Sequence, residues 1–228
     1  MSASSLTASI VAAQTELVVQ GADTPALVEQ ACRLRHQVYC LERGYEPGVN
    51  GLETDAYDAH ARHVVLCLRS CGTVIGTARM ILPQMHQPTR SFPMQAVCDP
   101  AALDAVPLMG TAEVSRFAIS KERRGSSPTA ASLSRLALVK GLVQLSRQAG
   151  VTHWCAVMER ALLRLLQSSG IHFKATGPLV EYHGLRQPAF CELAGMLSRM
   201  KAEQPEIWSF VTNQGQFANS RVSGLQAA

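Results

Sequence analysis

EVSRFAISKERRG, residues 113–125, has the Val, Phe and Ile content of a central strand but carries Glu113 and Arg116 where apolar side chains belong. Burying such a pair costs several kcal/mol per ion unless partners offset the desolvation. Side chains alternate along a strand, so Glu113, Ser115 and Phe117 share one face and Val114, Arg116 and Ala118 the other, unless a bulge intervenes. Arg116 then needs a carboxylate, which Asp55 or Asp58 could supply.

The elements around this strand follow from periodicity and punctuation. TPALVEQACRLRHQVYCLERG has Thr24 as N-cap, Pro25 at the first helical position and Gly44 as stop, which predicts a helix over 25–43. HVVLCLRSCGTVIGTARMILP reads as an antiparallel hairpin broken at Ser-Cys-Gly. Residues 83–111 hold five prolines and read as a long irregular segment. After the Ser/Gly/Pro turn that follows the central strand, AASLSRLALVKGLVQLSRQAG predicts a helix over 129–149. VTHWCAVM then reads as a strand, ERALLRLLQSSG as a helix, IHFKATGPLV as a strand and QPAFCELAGMLSRMKAE as a helix. Alternating strands and helices predict an α/β (α+β) sandwich, a mixed central sheet flanked by helices. The expected organisation is a flexible or loosely docked tail over 1–22, one domain over 23–216 and a second tail over 217–228.

Composition narrows the function. Of the 228 residues 47% are hydrophobic and 17% charged, enough apolar content for one sizeable core. A net charge of +4 without a Lys/Arg stripe speaks against nucleic-acid binding and suits an acidic protein partner. Seven cysteines without a CxxC pair indicate neither a disulfide framework nor a zinc knuckle, and suit a reduced, cytoplasmic protein. No run reaches the roughly 18 apolar residues of a transmembrane helix. His60 and His63 lack a third ligand of suitable spacing, so no metal site is expected.

The remaining charges form a set: Arg33 and Arg35 on the first helix, Asp55 and Asp58 in the acidic loop, Arg79 in the hairpin, Glu113 and Arg116 in the central strand. One reading is a structural salt-bridge network. The other is recognition of a zwitterion, with carboxylates holding an ammonium group and an arginine taking a carboxylate, which describes an amino-acid substrate.

These residues resemble the acyl-homoserine-lactone autoinducer synthases. Arg35 and Tyr39 in RHQVY, the loop GLETDAYD, Arg79 in GTARMILP and EVSRF match that family's motifs over about residues 33–118. Tyr45 in RGYEPG stands where the family has tryptophan, which points away from S-adenosylmethionine. Over roughly 24–215, HFKATGPLVEYHGLRQPAF and PEIWSFVTNQG make the chain similar to acyltransferases of exosortase (PEP-CTERM) systems and to long-chain N-acyl amino acid synthases. That resemblance implies a GNAT-like fold, acyl carrier protein as acyl donor and partner, and the amine of an amino acid as acceptor, with no tightly bound cofactor.

On this basis Glu113, Arg79 and Arg116 are the expected catalytic residues. Glu113 accepts the ammonium proton, or only anchors the acceptor or Arg116. Arg35, Tyr39, Asp55, Asp58, Ser115, Tyr182 and His183 are the expected acceptor-binding residues, His183 as an acid or base or as a wall of the pocket. KERRGSSPTA keeps Arg123, Arg124 and Gly125 but not the glycine spacing of a coenzyme A loop. With Phe117 these are expected to hold phosphopantetheine, unless the segment is an ordinary solvated turn. Met80, Met85, Met94, Met109, Met158 and Met196 are candidates for an acyl channel, most of them as core. The alternatives are a homoserine lactone synthase and a non-catalytic acyl-binding module.

Overall fold

The expected hairpin anchors the sheet. β2 (Ala61–Leu68) and β3 (Val74–Ile81) pair antiparallel, and β4 (Thr111–Ile119) adds antiparallel to β3. In the computed structural model, which describes residues 3–45, 47–103 and 106–218, the strand order is β1-β2-β3-β4-β5-β8-β6, with β7 also on β8. The outer members are β1 (Leu17–Gly21), β5 (His153–Met158), β6 (Lys174–Ala175), β7 (Val180–Glu181) and β8 (Leu185–Glu192). Only β4 and β5 run parallel among the described pairs, so they need a crossover. It consists of α5 (Lys121–Ser126) and α6 (Pro128–Ala149), the latter opened by Ser127 as N-cap and closed by left-handed Gly150.

The α6 face of the sheet carries the main core, with Val64, Leu66, Leu138, Leu142 and Trp154 almost solvent-free. Gly141 lets α6 approach closely, because a Cβ there would lie 2.4 Å from Val64 and 2.8 Å from Val19. The opposite face is covered by α2 (Pro25–Arg35), whose Ala31 and Leu34 pack over Val65, Cys67 and Ala118. α2 runs on into a π-helix, His36–Glu42, so the expected 25–43 helix changes its winding midway. The proline-rich segment, expected to be irregular, contains a 3-10 turn (Pro88–Arg90) and short helices α3 (Met94–Val97) and α4 (Pro100–Leu103). Its Phe92, Met94 and Cys98 pack against Ile81 and Cys155.

Four expectations fail for identifiable reasons. Of the expected loose tail over 1–22, residues 3–21 are instead α1 (Ala3–Glu16) and β1, and residues 1–2 lie outside the described residues. Alanine favours helix without any periodic stripe, and Ile10, Ala13 and Leu17 find burial only against the assembled core. QPAFCELAGMLSRMKAE divides into β8, which pairs along β5 from His153 to Met158, and α8 (Leu193–Glu203), capped by Glu192. IHFKATGPLV supplies only the two-residue β6 and the first residue of the two-residue β7. KERRGSSPTA is helical rather than a turn, because Ser120 and Ser127 each cap a helix. α7 (Arg160–Gln167) follows β5 as expected, and α9 (Pro205–Val211) starts on Pro205. Of the expected tail over 217–228, residues 219–228 lie outside the described residues.

Candidate active site

The site is built on a bulge. Thr77 pairs with Ala118 and Arg79 with Ser115, so Arg116 and Phe117 together oppose Ala78. Arg116 adopts φ +49°, a left-handed conformation rare outside glycine. The extra residue breaks the expected alternation, and Arg116 reaches the same carboxylate loop that Arg79 does.

There three arginines and three carboxylates close a ring. Arg35 binds Glu53 and both oxygens of Asp58 (2.8 and 3.1 Å). Glu53 accepts from Arg116 Nε (2.9 Å), Arg116 donates to Asp55 (3.2 Å), and Arg79 Nη1 donates to Asp55 (2.6 Å) and Asp58 (2.9 Å). Asp55 and Asp58 also cap each other's backbone across the 3-10 turn Ala56–His60. Burial alone would raise the three carboxyl groups, but the guanidinium bonds outweigh it and hold them below the ordinary range. Burial also opposes the charge on Arg35 and Arg116, and pairing again prevails, raising both. His63, whose Nε2 lies 3.6 Å from Asp58, is pushed down to about 4, chiefly by burial, and stays neutral at pH 7.

Glu113 stands apart from the ring. It is 2% exposed, its Oε2 accepts the Met94 backbone N–H (2.9 Å), and no arginine pairs with it among the described residues. Burial pushes its carboxyl group from 4.5 up to about 7, against the Met94 bond and the more distant charges of Arg79 and Arg116.

A cavity of about 310 Å³ opens beside it. The β4–β5 ladder stops at Glu113 and Cys155, and beyond that point the two strands part, leaving a V whose apex is Glu113 and whose mouth lies at their C-terminal ends. On the α2 face the cavity is lined by Tyr39, Ser115, Arg116, Tyr182 and His183. On the α6 face it is lined by Val139, Leu142, Leu162, Leu166 and Phe173. The π-helix carries Tyr39, whose hydroxyl donates to Phe117 O (3.1 Å) and whose ring lies 5.6 Å from the Arg116 guanidinium. At the mouth His183 stacks on Tyr45 at 5.3 Å, while Arg43 and Arg186 flank the same ring and both bind Glu159.

Residues 34–133 match the family model described as acetyltransferase (GNAT) domain. The fold is that of the GNAT acyltransferases. A search of curated proteins finds no match. Among solved structures, the CoA-dependent acyl-homoserine lactone synthase BjaI, with MTA, is similar at TM-score 0.64 and 19% identity, over 87% of this chain and 90% of that one. FeeM, an N-acyl amino acid synthase from uncultured soil microbes, gives 0.60 and 17%, over 82% and 96%. The AHL synthase LasI gives 0.58 and 22%, over 76% and 88%.

On this GNAT fold the expected site residues separate into two groups. Tyr39, Glu113, Ser115, Arg116, Phe117, Arg124, Tyr182 and His183 line the cavity. Arg35, Arg79, Asp55 and Asp58 do not line it. They pair with one another, and Arg79 Nη2 is left buried without a hydrogen-bond partner. Arg123 is turned away onto Glu16 (2.7 Å) and Ser134 (2.9 Å), Arg124 is paired with Glu42, and Gly125 lies within α5. Of the six methionines only Met158 lines the cavity; Met85 and Met109 are exposed. Sequence reading passed over Glu53, the buried carboxylate between Arg35 and Arg116, although its place in GLETDAYD marked it. It also passed over Met94, for which no local signal exists. Among the described residues no group of three or more His, Cys, Asp or Glu side chains could hold a metal, and no helix is long and apolar enough to cross a membrane.

Proposed function

We propose that the protein is an N-acyltransferase that moves a long-chain fatty acyl group from acyl carrier protein to the amine of an amino acid. The observation that carries this reading is Glu113: a buried carboxyl group, unpaired by any described arginine and held near 7, at the apex of a cleft whose α6 side is apolar. The pantetheine arm lies along Val139 and Leu142 and the acyl chain along Leu162, Leu166 and Phe173, with the thioester carbonyl beside Glu113. The acceptor's ammonium loses a proton to Glu113, directly or through water, and the free amine attacks that carbonyl. Backbone N–H groups of the bulged segment bear the oxyanion in this reading. The C–S bond then breaks, the amide remains, and the pantetheine thiolate leaves and takes up a proton.

The charge ring is internally neutral, so it serves as a rigid backing rather than as the zwitterion pocket itself. Acceptor contacts fall to the cavity side: Tyr39, Ser115, Arg116, Tyr182 and His183. FeeM, described as an N-acyl amino acid synthase, shares the fold and supports this acceptor class. The competing product is an acyl-homoserine lactone, favoured by the similarity to BjaI and LasI. Against it, the Tyr45 ring is already flanked by His183, Arg43 and Arg186.

Incubation of the purified protein with a long-chain acyl carrier protein and either pooled amino acids or S-adenosylmethionine, followed by mass spectrometry of lipid extracts, tests the reading. An N-acyl amino acid supports it and names the acceptor. An acyl lactone replaces it with the synthase reading, and binding without product leaves an acyl-binding module.

A further inference from the structure

Five arginines line the cavity, and four of them are already neutralised. Arg43 and Arg186 bind Glu159, Arg116 binds Glu53 and Asp55, and Arg124 binds Glu42. Arg135 has no hydrogen-bond, ion-pair or ring partner among the described residues, although it is partly buried in the same wall. Burial alone lowers its pKa, with no carboxylate acting against that effect. A desolvated guanidinium facing a cavity without a counter-ion is a site for an anion the cavity receives.

The position of Arg135 indicates which anion. It stands with Val139 and Leu142 at helical spacing i, i+4 and i+7, all three on the cavity wall. α6 follows the C-terminal end of β4 and returns to the start of β5, so its N-terminal half lies at the mouth of the V and its C-terminal half at the apex. Arg135 is one turn nearer the mouth than Val139, about 6 Å along the axis. From Glu113 to Ile119, β4 gives the cleft a length of about 20 Å. From inside outward the wall therefore runs from apolar to cationic. A donor whose thioester carbonyl sits beside Glu113 has the same order: its neutral pantetheine arm runs along the apolar wall and its one anionic group lies at the outer end.

We propose that Arg135, rather than the Arg123–Arg124 pair, anchors the phosphate of the donor's phosphopantetheine arm. This rests on the acyltransferase reading for its donor class. The phosphate comes either from a carrier-protein phosphodiester or from the diphosphate of coenzyme A.

Titration calorimetry with 4′-phosphopantetheine and with pantetheine tests the assignment without any turnover. The wild type is expected to bind the phosphorylated arm about tenfold or more tightly, as a charge-assisted hydrogen bond provides. In Arg135→Met the ratio of the two dissociation constants falls toward one, in Arg135→Lys it is partly restored, and in Arg124→Met it persists. A ratio unchanged in Arg135→Met, or lost in Arg124→Met instead, overturns the proposal. So does a wild type that does not distinguish the two ligands. Kinetics with acyl carrier protein and acyl-CoA as alternative donors show which source of phosphate loses more kcat/KM in Arg135→Met. A phosphate preference that depends on Arg135 in a protein making no N-acyl amino acid would refute the function and keep the anchor. N-acyl amino acid synthesis with a preference indifferent to Arg135 would do the reverse.

Discussion

Glu113→Gln separates chemistry from architecture at one atom pair. The glutamine carbonyl can still accept the Met94 N–H, so the proline-rich segment keeps its attachment, while the group that titrates is lost. General-base assistance contributes about 10²- to 10⁴-fold, and a loss of that size in kcat is expected. The pH profile is the sharper readout. With the carboxyl group at about 7, only about a tenth is ionised at pH 6 and about nine-tenths at pH 8, so wild-type kcat/KM rises roughly tenfold across that interval. The glutamine variant should be flat there. Stability carries the opposite sign. The folded protein holds the Glu113 proton up to about 7, whereas the unfolded chain releases it near 4.5, so the folded state binds more protons between these values. Stability therefore falls as pH rises through that window, by about 3 kcal/mol, and the variant lacks this decline. Product formation by mass spectrometry and urea unfolding, both between about pH 5 and pH 8, measure the two effects. A variant that retains activity within threefold and the wild-type pH slope would remove Glu113 as the base.

Glu53→Gln should destabilise the fold by about 3–5 kcal/mol, because Arg35 and Arg116 lose their shared counter-ion while buried; thermal unfolding measures it. The depressed pKa values of Glu53, Asp55 and Asp58 give stability that is fully present above the ordinary carboxylate range and is lost as pH falls through their folded values, so acid unfolding of the wild type should be steeper than that of Glu53→Gln. Gly141→Ala is expected to lower stability by about 1–3 kcal/mol despite alanine's better helix propensity, since the new Cβ meets Val64 and Val19; an unchanged melting temperature would mean that α6 can lift from the sheet. Leu162→Trp, which fills the α6 side of the cavity, should shift donor preference to shorter acyl chains without altering the pH profile, as competition between donors of different length would show.

What the sequence made legible was whatever local periodicity or chemistry dictates. The hairpin, α2 and α6 carry their own caps and stops, Arg79 and Arg116 declare themselves by interrupting apolar runs, and Asp55 and Asp58 by crowding one short acidic loop. Apart from the missed serine caps of α5 and α6, its failures concern choices made by tertiary contacts. Residues 3–16 have no apolar stripe, and their helix is selected by a groove over α6 and α9. QPAFCE satisfies both a proline-first helix and a buried strand, and only pairing with β5 decides for the strand. Within β4 the two-residue alternation placed Glu113 and Arg116 on opposite faces, and a bulge, which has no compositional mark here, reversed the orientation of Arg116. The two-group division of the site has the same origin. Residue type identified every arginine, but only partners 18 to 63 residues away determine which guanidinium is spent on structure.

The bulge, the ring and the cleft form one causal sequence. A left-handed arginine costs about 1–2 kcal/mol, and nothing local to EVSRF offsets it. Glu53 and Asp55 offset it from outside the strand by binding Arg116 at its strained position. Those two carboxylates are fixed in turn by Arg35 and Arg79, which explains why two fully buried arginines are present without lining the cavity. With Arg116 held, one strand of the β4–β5 pair is kinked just beyond Glu113, and the strands separate there. The separation leaves Glu113 facing a cavity while its surroundings stay dry, which raises its pKa. A neutral ring that adds little net stability over an apolar core therefore has a structural consequence: it maintains the backbone distortion that leaves a near-neutral carboxyl group at the end of the cleft, where the proposed mechanism needs its base.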